Sequence, residues 1–326
     1  MFNQKKLIMK KNLFFACTLF AVMLALFSCN SKKTEDANAT AEDKAGEEAT
    51  TELKAFDYTP AEPTDGKKKA IVELGAAGFN MFVVELDEQG NWKALKKEFG
   101  TSLISENMTN AETVETKLKD YIKSIIDQGV PANNVFFVVS SGAVKEPIIE
   151  SITSALKAIG YNVNTVTPEQ EAQYAFRCVL PKGYEGKAFV VDLGSGNTKI
   201  SYMQDGKTVG KETYGAKYFQ KNITDDEVYN DVKTKLADLP AENTETLFII
   251  GGVPFQMAKT QKKGDERYTV LSTDIAAYDK LAQEEGDKVK AGLNIFKSIV
   301  QTTGAKQVVF DWDANFSIGY LLSLGY

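Results

Sequence analysis

A short phrase occurs twice in this chain and restricts its fold more than any other feature. Ala70-Ile71-Val72-Glu73-Leu74-Gly75 is an apolar run ending in acid-Leu-Gly, and Phe189-Val190-Val191-Asp192-Leu193-Gly194 repeats it. After each copy the chain turns through small residues and enters an alternating apolar strand. A buried strand that ends in a carboxylate and then glycine delivers a negative oxygen and bare backbone N–H groups to one place. The carboxylate suits a divalent cation, and the N–H groups suit an oxyanion. Two such hairpins predict two related halves facing each other across a nucleotide- or phosphate-sized cleft.

The order of elements supports a duplication. Apolar alternation predicts strands near 69–74, 79–86 and 91–98, a helix near 110–128, a strand over 134–139 and a helix over 147–159. A strand over 161–166 and a helix over 168–179 complete the first series, with Thr167 as cap and Pro168 at the first helical position. The series restarts with strands near 187–192, 197–204 and 207–213, the last two joined by the hairpin signal Asp205-Gly206. A helix near 224–237, a strand over 246–250, a helical region to about 303, a strand over 307–310 and a helix near 314–323 follow. Val138-Val139-Ser140-Ser141-Gly142 also matches Ile249-Ile250-Gly251-Gly252 at the end of each fourth strand. Strand-rich starts followed by alternating helices predict an α/β chain of mixed sheets covered by helices.

The ends of the chain call for a different reading. Lys5, Lys6, Lys10 and Lys11 precede the apolar run Leu13 to Phe27, the pattern of an export signal. Leu26-Phe27-Ser28-Cys29 resembles a bacterial lipoprotein box, which makes residues 1–28 a signal peptide and Cys29 the lipid-bearing residue. Ser31 to about Gly66 is rich in Ala, Glu, Asp, Thr and Lys and is expected to be a disordered tether within 29–67. Roughly 36 such residues reach about 35 Å root-mean-square from a membrane. The expected location is the cell envelope, anchored to a bacterial membrane and facing the periplasm. The two halves of the repeat place domains at 68–184 and 185–326.

Composition excludes several chemistries. A formal net charge of −6 without a basic cluster argues against nucleic acid. The chain has no histidine, so Ser-His and Cys-His pairs, His-ligated zinc and a His base are all ruled out. With Cys17 in the signal and Cys29 lipidated, Cys178 is left alone and is read as a buried helical core residue. Catalysis, if present, rests on carboxylates, hydroxyls, Lys, Arg or a bound ion.

A five-stranded three-layer unit repeated twice, with ligand loops at equivalent strand ends, resembles the duplicated actin-like (ribonuclease H-like) fold. Within that superfamily the chain resembles the exopolyphosphatase and guanosine pentaphosphate phosphohydrolase family. Ala70–Val84 is similar to the family's opening strand, phosphate loop and second strand. Val163–Ala172, with Pro168-Glu169-Gln170-Glu171-Ala172, is similar to its Glu-Glu-Ala helix start. Lys187–Lys199, with Asp192-Leu193-Gly194-Ser195-Gly196-Asn197-Thr198, resembles its second phosphate loop, and the likeness runs more weakly beyond Thr213 to the end.

The resemblance implies roles. Glu171 would position or deprotonate the attacking water. Asp192, with Glu73, would hold Mg²⁺. Gly194, Ser195, Gly196 and Thr198 would donate to the phosphates, with Gly75, Ala76, Lys145, Gly251 and Gly252 as further contacts. The departures are equally specific. Ala76 and Ala77 replace a Ser-Asn-Ser run, Lys145 replaces an arginine and its bidentate fork, and Gly251-Gly252-Val253-Pro254 lacks a hydroxyl.

Two functions follow. One is a membrane-anchored, metal-dependent hydrolase of polyphosphate or a nucleotide polyphosphate. The alternative is a catalytically degenerate lipoprotein that binds a phosphate-bearing ligand or serves as an envelope scaffold. A filament former is a third reading, without a sequence feature that singles out a polymer interface. Trp312 between two aspartates reads as a packing aromatic beside helix-entry acids. The mixed-sign run Lys259 to Arg267 reads as a solvated loop.

Overall fold

The computed structural model describes residues 54–75, 78–101 and 111–326, which belong to one compact unit. The signal peptide, Cys29 and Ala76 lie outside the described residues. Among the described residues no helix is long and apolar enough to cross a membrane.

The first sheet has the order β3-β2-β1-β4-β5, formed by β1 (Lys67–Gly75), β2 (Gly78–Leu86), β3 (Trp92–Thr101), β4 (Val135–Val139) and β5 (Val163–Thr165). The meander β1–β3 is antiparallel, and β4 and β5 run parallel to β1. Helices α1 (Ala111–Ile126) and α2 (Pro147–Ala158) cover one face, packing Val114, Leu118, Ile122, Ile152 and Leu156 on Ala70, Val72 and Val83.

The second sheet repeats this order and adds a strand. β6 (Ala188–Leu193), β7 (Asn197–Gln204), β8 (Lys207–Tyr214), β9 (Thr246–Gly251) and β11 (Gln307–Asp311) correspond to β1–β5. β10 (Tyr268–Leu271) pairs antiparallel with β11, so the sheet is six-stranded, β10-β11-β9-β6-β7-β8. The expected five strands become six, and the helical region expected to about 303 contains a strand. Tyr268-Thr269-Val270-Leu271 is a short β-prone run hidden behind the charged stretch before it. That stretch is itself only partly a solvated loop: α5 (Gly252–Gln261) occupies its start, and Arg267 turns inward. Helices α4 (Asp225–Lys235), α5, α6 (Asp279–Glu285) and α7 (Asp287–Thr303) cover the outer face through Val228, Met257, Leu281 and Phe296.

Between the sheets lie α3 (Pro168–Val179), from the first half, and α8 (Phe316–Ser323), from the second. Phe176, Val179, Phe316, Ile318 and Leu321 join Ile71 and Phe82 of one sheet to Val190 and Phe248 of the other. The two helices touch at Gly319, where a Cβ would stand 1.8 Å from the Tyr174 carbonyl oxygen. Cys178 is buried in this middle layer, as its sequence context predicts, and burial pushes its thiol up. Residues 54–66, read from composition as tether, are tied to the folded unit instead: Phe56 and Tyr58 pack on the second sheet, while Glu62 and Thr64 bond to Lys93 and Asp87 of the first half. Phe56 meets both Phe248 and Tyr268 with ring centres 5.3 Å apart. Phe56 and Tyr58 interrupt an otherwise polar segment and give it apolar surface to bury.

Candidate functional site

Both acid-Leu-Gly turns open on one cavity of about 410 Å³. The parallel pairs β1–β4 and β6–β9 bring their strand ends to the same edge of each sheet, so the loops that follow converge there. Glu73, Gly75, Asp192, Gly194, Ser195 and Gly196 all line the cavity, with Glu171 between the two hairpins and Gly251 and Gly252 behind them.

Register explains how each acid is answered. Asn80 stands directly across β1–β2 from Glu73, and Lys199 stands directly across β6–β7 from Asp192. Directly opposed residues share one face of the pair and bring their side chains together. Asn80 Nδ2 donates to Glu73 Oε2 at 2.9 Å, and Asn315 Nδ2, from the cap of α8, donates to the same oxygen at 3.1 Å.

Lys199 occupies the centre of the second arrangement. Its Nζ forms an ion pair with Glu171 Oε1, the two side chains being 5% and 1% exposed. Glu171 sits in the first turn of α3, whose start is held by a capping box between Thr167 and Gln170. Its other oxygen, Oε2, accepts from the Ser141 N–H at 2.9 Å and from the Ser141 hydroxyl. Asn197 Nδ2 in turn donates to Ser141 Oγ at 3.1 Å and to Glu212 at 2.7 Å. Both carboxylate oxygens of the expected base are therefore engaged by protein donors.

Two of the three buried carboxylates around the ammonium, Glu73 and Asp192, have displaced pKa values. Burial pushes Glu73 up to about 7; the Asn80 amide opposes this, while Glu171 and Asp192 add to it. Burial pushes Asp192 up to about 6, with Lys199 opposing. For Lys199 burial favours the neutral amine, but Asp192, Glu171 and Glu73 outweigh it and hold the ammonium above its usual range.

The donor set does not fit a resident Mg²⁺. A hard divalent ion requires several free oxygens in a near-octahedral shell. Here Glu171 is closed by Lys199 and Ser141, and Glu73 Oε2 is taken by two amides. Among the described residues no group of three His, Cys, Asp or Glu could hold a metal.

The strand end beside Asp192 suits an anion. α5 begins at Gly252 and points its first N–H groups toward the cavity wall. Gly251 adopts φ 115°, and a Cβ there would lie 2.3 Å from the Leu193 carbonyl oxygen, so only glycine lets this turn meet β6. Lys288, on α7, also lines the cavity, and burial and then neighbouring Lys217 hold its ammonium below the usual range. Lys217, just after β8, reaches back to the second loop, its N–H donating to the Ser195 carbonyl at 3.0 Å.

At the other end lie Phe99, Phe255 and Trp312. Phe99 and Phe255 face each other across the cleft with centroids 6.3 Å apart. Trp312 both lines the cavity and packs edge-on against Phe255 and Phe310, while Nε1 donates to Thr269. Its flanking acids are paired: Asp311 takes both arms of Arg267 at 3.1 Å, and Asp313 takes Lys97 at 2.6 Å.

Two expected contacts lie elsewhere. Lys145 is exposed and is not among the residues lining the cavity, because the turn after β4 carries it outward. The Thr198 side chain is fully buried, faces away from the cavity lining and finds no partner for its hydroxyl. Lys199, Ser141, Asn80 and Asn315 were not singled out by the sequence reading. For Lys199 a signal exists: it follows Asp192 by the same interval at which Asn80 follows Glu73.

The architecture is shared with solved phosphohydrolase structures. The Aquifex aeolicus PPX-GPPA enzyme matches with a TM-score of 0.60 at 19% identity, over 79% of this chain and 99% of that one. An exopolyphosphatase from Cytophaga hutchinsonii matches with a TM-score of 0.60 at 12% identity, over 80% of this chain and 99% of that one. An exopolyphosphatase-like protein matches at 0.59 and 16% identity, over 80% and 98%. No family model matches the sequence, and no curated protein does. At these identities the likeness establishes the fold: a duplicated, actin-like pair of mixed sheets around a cleft.

Proposed function

We propose that this chain, with the fold of a Ppx/GppA phosphohydrolase, is a non-hydrolytic receptor for a phosphate-bearing ligand, lipid-anchored in the cell envelope through Cys29. One observation carries the loss of hydrolysis: Glu171 has no free oxygen. Oε1 is closed by Lys199 and Oε2 by Ser141, with the side chain 1% exposed. A general base must reach a water proton directly or through one water, and both oxygens of this carboxylate are already occupied by protein donors.

Binding is supported by the groups that remain. The Gly194–Gly196 loop, the start of α5 at Gly252 and Lys288 supply N–H groups and positive charge, with Lys217 as a charged neighbour of Lys288. Lys199, together with the raised pKa values of Glu73 and Asp192, limits the negative charge that a phosphate would meet. Polyphosphate and nucleotide polyphosphates are the ligand class, by analogy with the structures that share the fold. The envelope location rests on the basic start, the apolar run and the Leu26–Cys29 box.

The test uses the full-length chain in detergent. Calorimetry with tripolyphosphate should record binding, while phosphate release stays at the level of the Glu171→Gln variant. Release well above that variant would reinstate the hydrolase. Absence of binding to tripolyphosphate, polyphosphate and nucleotides would end the receptor reading.

A further inference from the structure

The two acid-Leu-Gly hairpins are equivalent in register, yet their acids meet different partners. Glu73 faces an amide, Asn80, and Asp192 faces an ammonium, Lys199. A Cβ on Gly194 would lie 3.5 Å from Lys199 Nζ, which places the ammonium beneath the second phosphate loop. The same Nζ is closed on Glu171 Oε1 and lines the cavity between the loops. This is where a cation bridging the acids of the two hairpins would stand.

We propose that Lys199 is the resident cation of this cleft, its ammonium standing among Glu171, Asp192 and Glu73 in place of a divalent metal. The inference goes beyond the receptor reading, because it concerns which cation the carboxylates hold whether or not a phosphate binds.

Three arguments support it. First, a buried carboxylate cluster needs a counter-charge, since unpaired buried charges are strongly destabilising. Lys199 is the ammonium that the structure places there, 5% exposed. Second, a divalent ion in the same space would meet an ammonium at van der Waals range. Repulsion between like charges in a low-dielectric site is large compared with that in water. Third, Lys199 cannot swing out easily. It projects from β7 between Thr198 and Ile200, both fully buried, and is itself buried. The charge is thus built into β7 and does not depend on ion concentration.

The arrangement also accounts for the first loop. With an ammonium as the bridging cation, no hydroxyl or amide from residues 76–77 is needed to complete a metal shell. Ala76 and Ala77 then carry no coordination penalty, although each would be a poor choice in a metal-binding turn.

The experiment titrates the full-length protein with Mn²⁺ in the absence of phosphate ligands, reading free Mn²⁺ by electron paramagnetic resonance. Wild type should take up no ion up to about 1 mM, the weak end of the range for oxygen-ligand sites. Lys199→Gln removes the ammonium and leaves the three acids, so it should bind one Mn²⁺ per chain at least about tenfold more tightly than wild type. Uptake of one ion by wild type that Asp192→Asn abolishes would overturn the proposal. So would a folded Lys199→Gln protein that gains no ion. If that variant does not fold, the wild-type titration decides alone: no uptake supports the proposal and Asp192-dependent uptake overturns it. Failure of the receptor reading would appear in the phosphate titrations, which this measurement leaves out.

Discussion

Lys199 stands directly across the β6–β7 hairpin from Asp192, with its Nζ closed on Glu171 of α3. A strand of the second sheet is thereby tied to the helix that the first half contributes to the middle layer. The expected base, the expected metal ligand and the loop between them become parts of one buried charge cluster. Its behaviour under mutation differs from that of a hydrolase site.

Lys199→Met should unfold the protein more readily. Breaking one partner of a buried ion pair costs about 3–5 kcal/mol because the other charge is stranded. Urea melts should show that loss, and adding Glu171→Gln should restore about 1 kcal/mol or more. A double variant whose loss equals the sum of two single losses would mean that the two residues are not coupled.

Glu73→Gln should stabilise the protein in alkaline solution. The folded-state acidity of Glu73 is about 7, above the unfolded value, so the folded state holds the proton more tightly. Its contribution is fully present below the unfolded value and is lost as pH rises through about 7. Glutamine stays neutral and keeps an acceptor for Asn80 and Asn315. The gain should be on the order of 2–3 kcal/mol at pH 8.5 and vanish toward pH 4. Unfolding measured at both pH values checks the sign; an equal gain at both would remove titration as the cause.

Gly319→Ala should separate α3 from α8. Its Cβ would fall 1.8 Å from the Tyr174 carbonyl oxygen, a backbone atom that cannot step aside alone. Overpacking of this kind costs about 1–3 kcal/mol or more. Chemical denaturation should register the loss, and near-wild-type stability would show that the middle layer is looser than its packing implies.

Lys288→Ala should weaken tripolyphosphate binding by about 3–10-fold, with Tm nearly unchanged. Lys145→Ala, on the exposed turn outside the cavity, should leave affinity as it was. Calorimetry on the two variants separates the two placements. The opposite ranking would move the anion site to the β4 turn.

Local sequence carried the repeat in full. Apolar alternation, Asp205-Gly206, Thr167 before Pro168 and the two acid-Leu-Gly ends are all short-range signals, and they determined the order of strands and helices and hence the duplicated fold. They also brought Glu73, Asp192 and Glu171 to one cleft, since equivalent strand ends in a duplicated sheet must converge. What the residue string could not settle is the state of those acids. Whether Glu171 is free or closed depends on Lys199, on the far strand of another hairpin, and on Ser141, after β4 of the other sheet. Likewise β10 forms only because β11 offers an edge, and Lys145 leaves the site because of how the β4 turn is aimed. Hydrogen bonds and ion pairs act over a few ångströms between residues distant in sequence. Periodicity determined where each strand ended; packing decided which charge met it there.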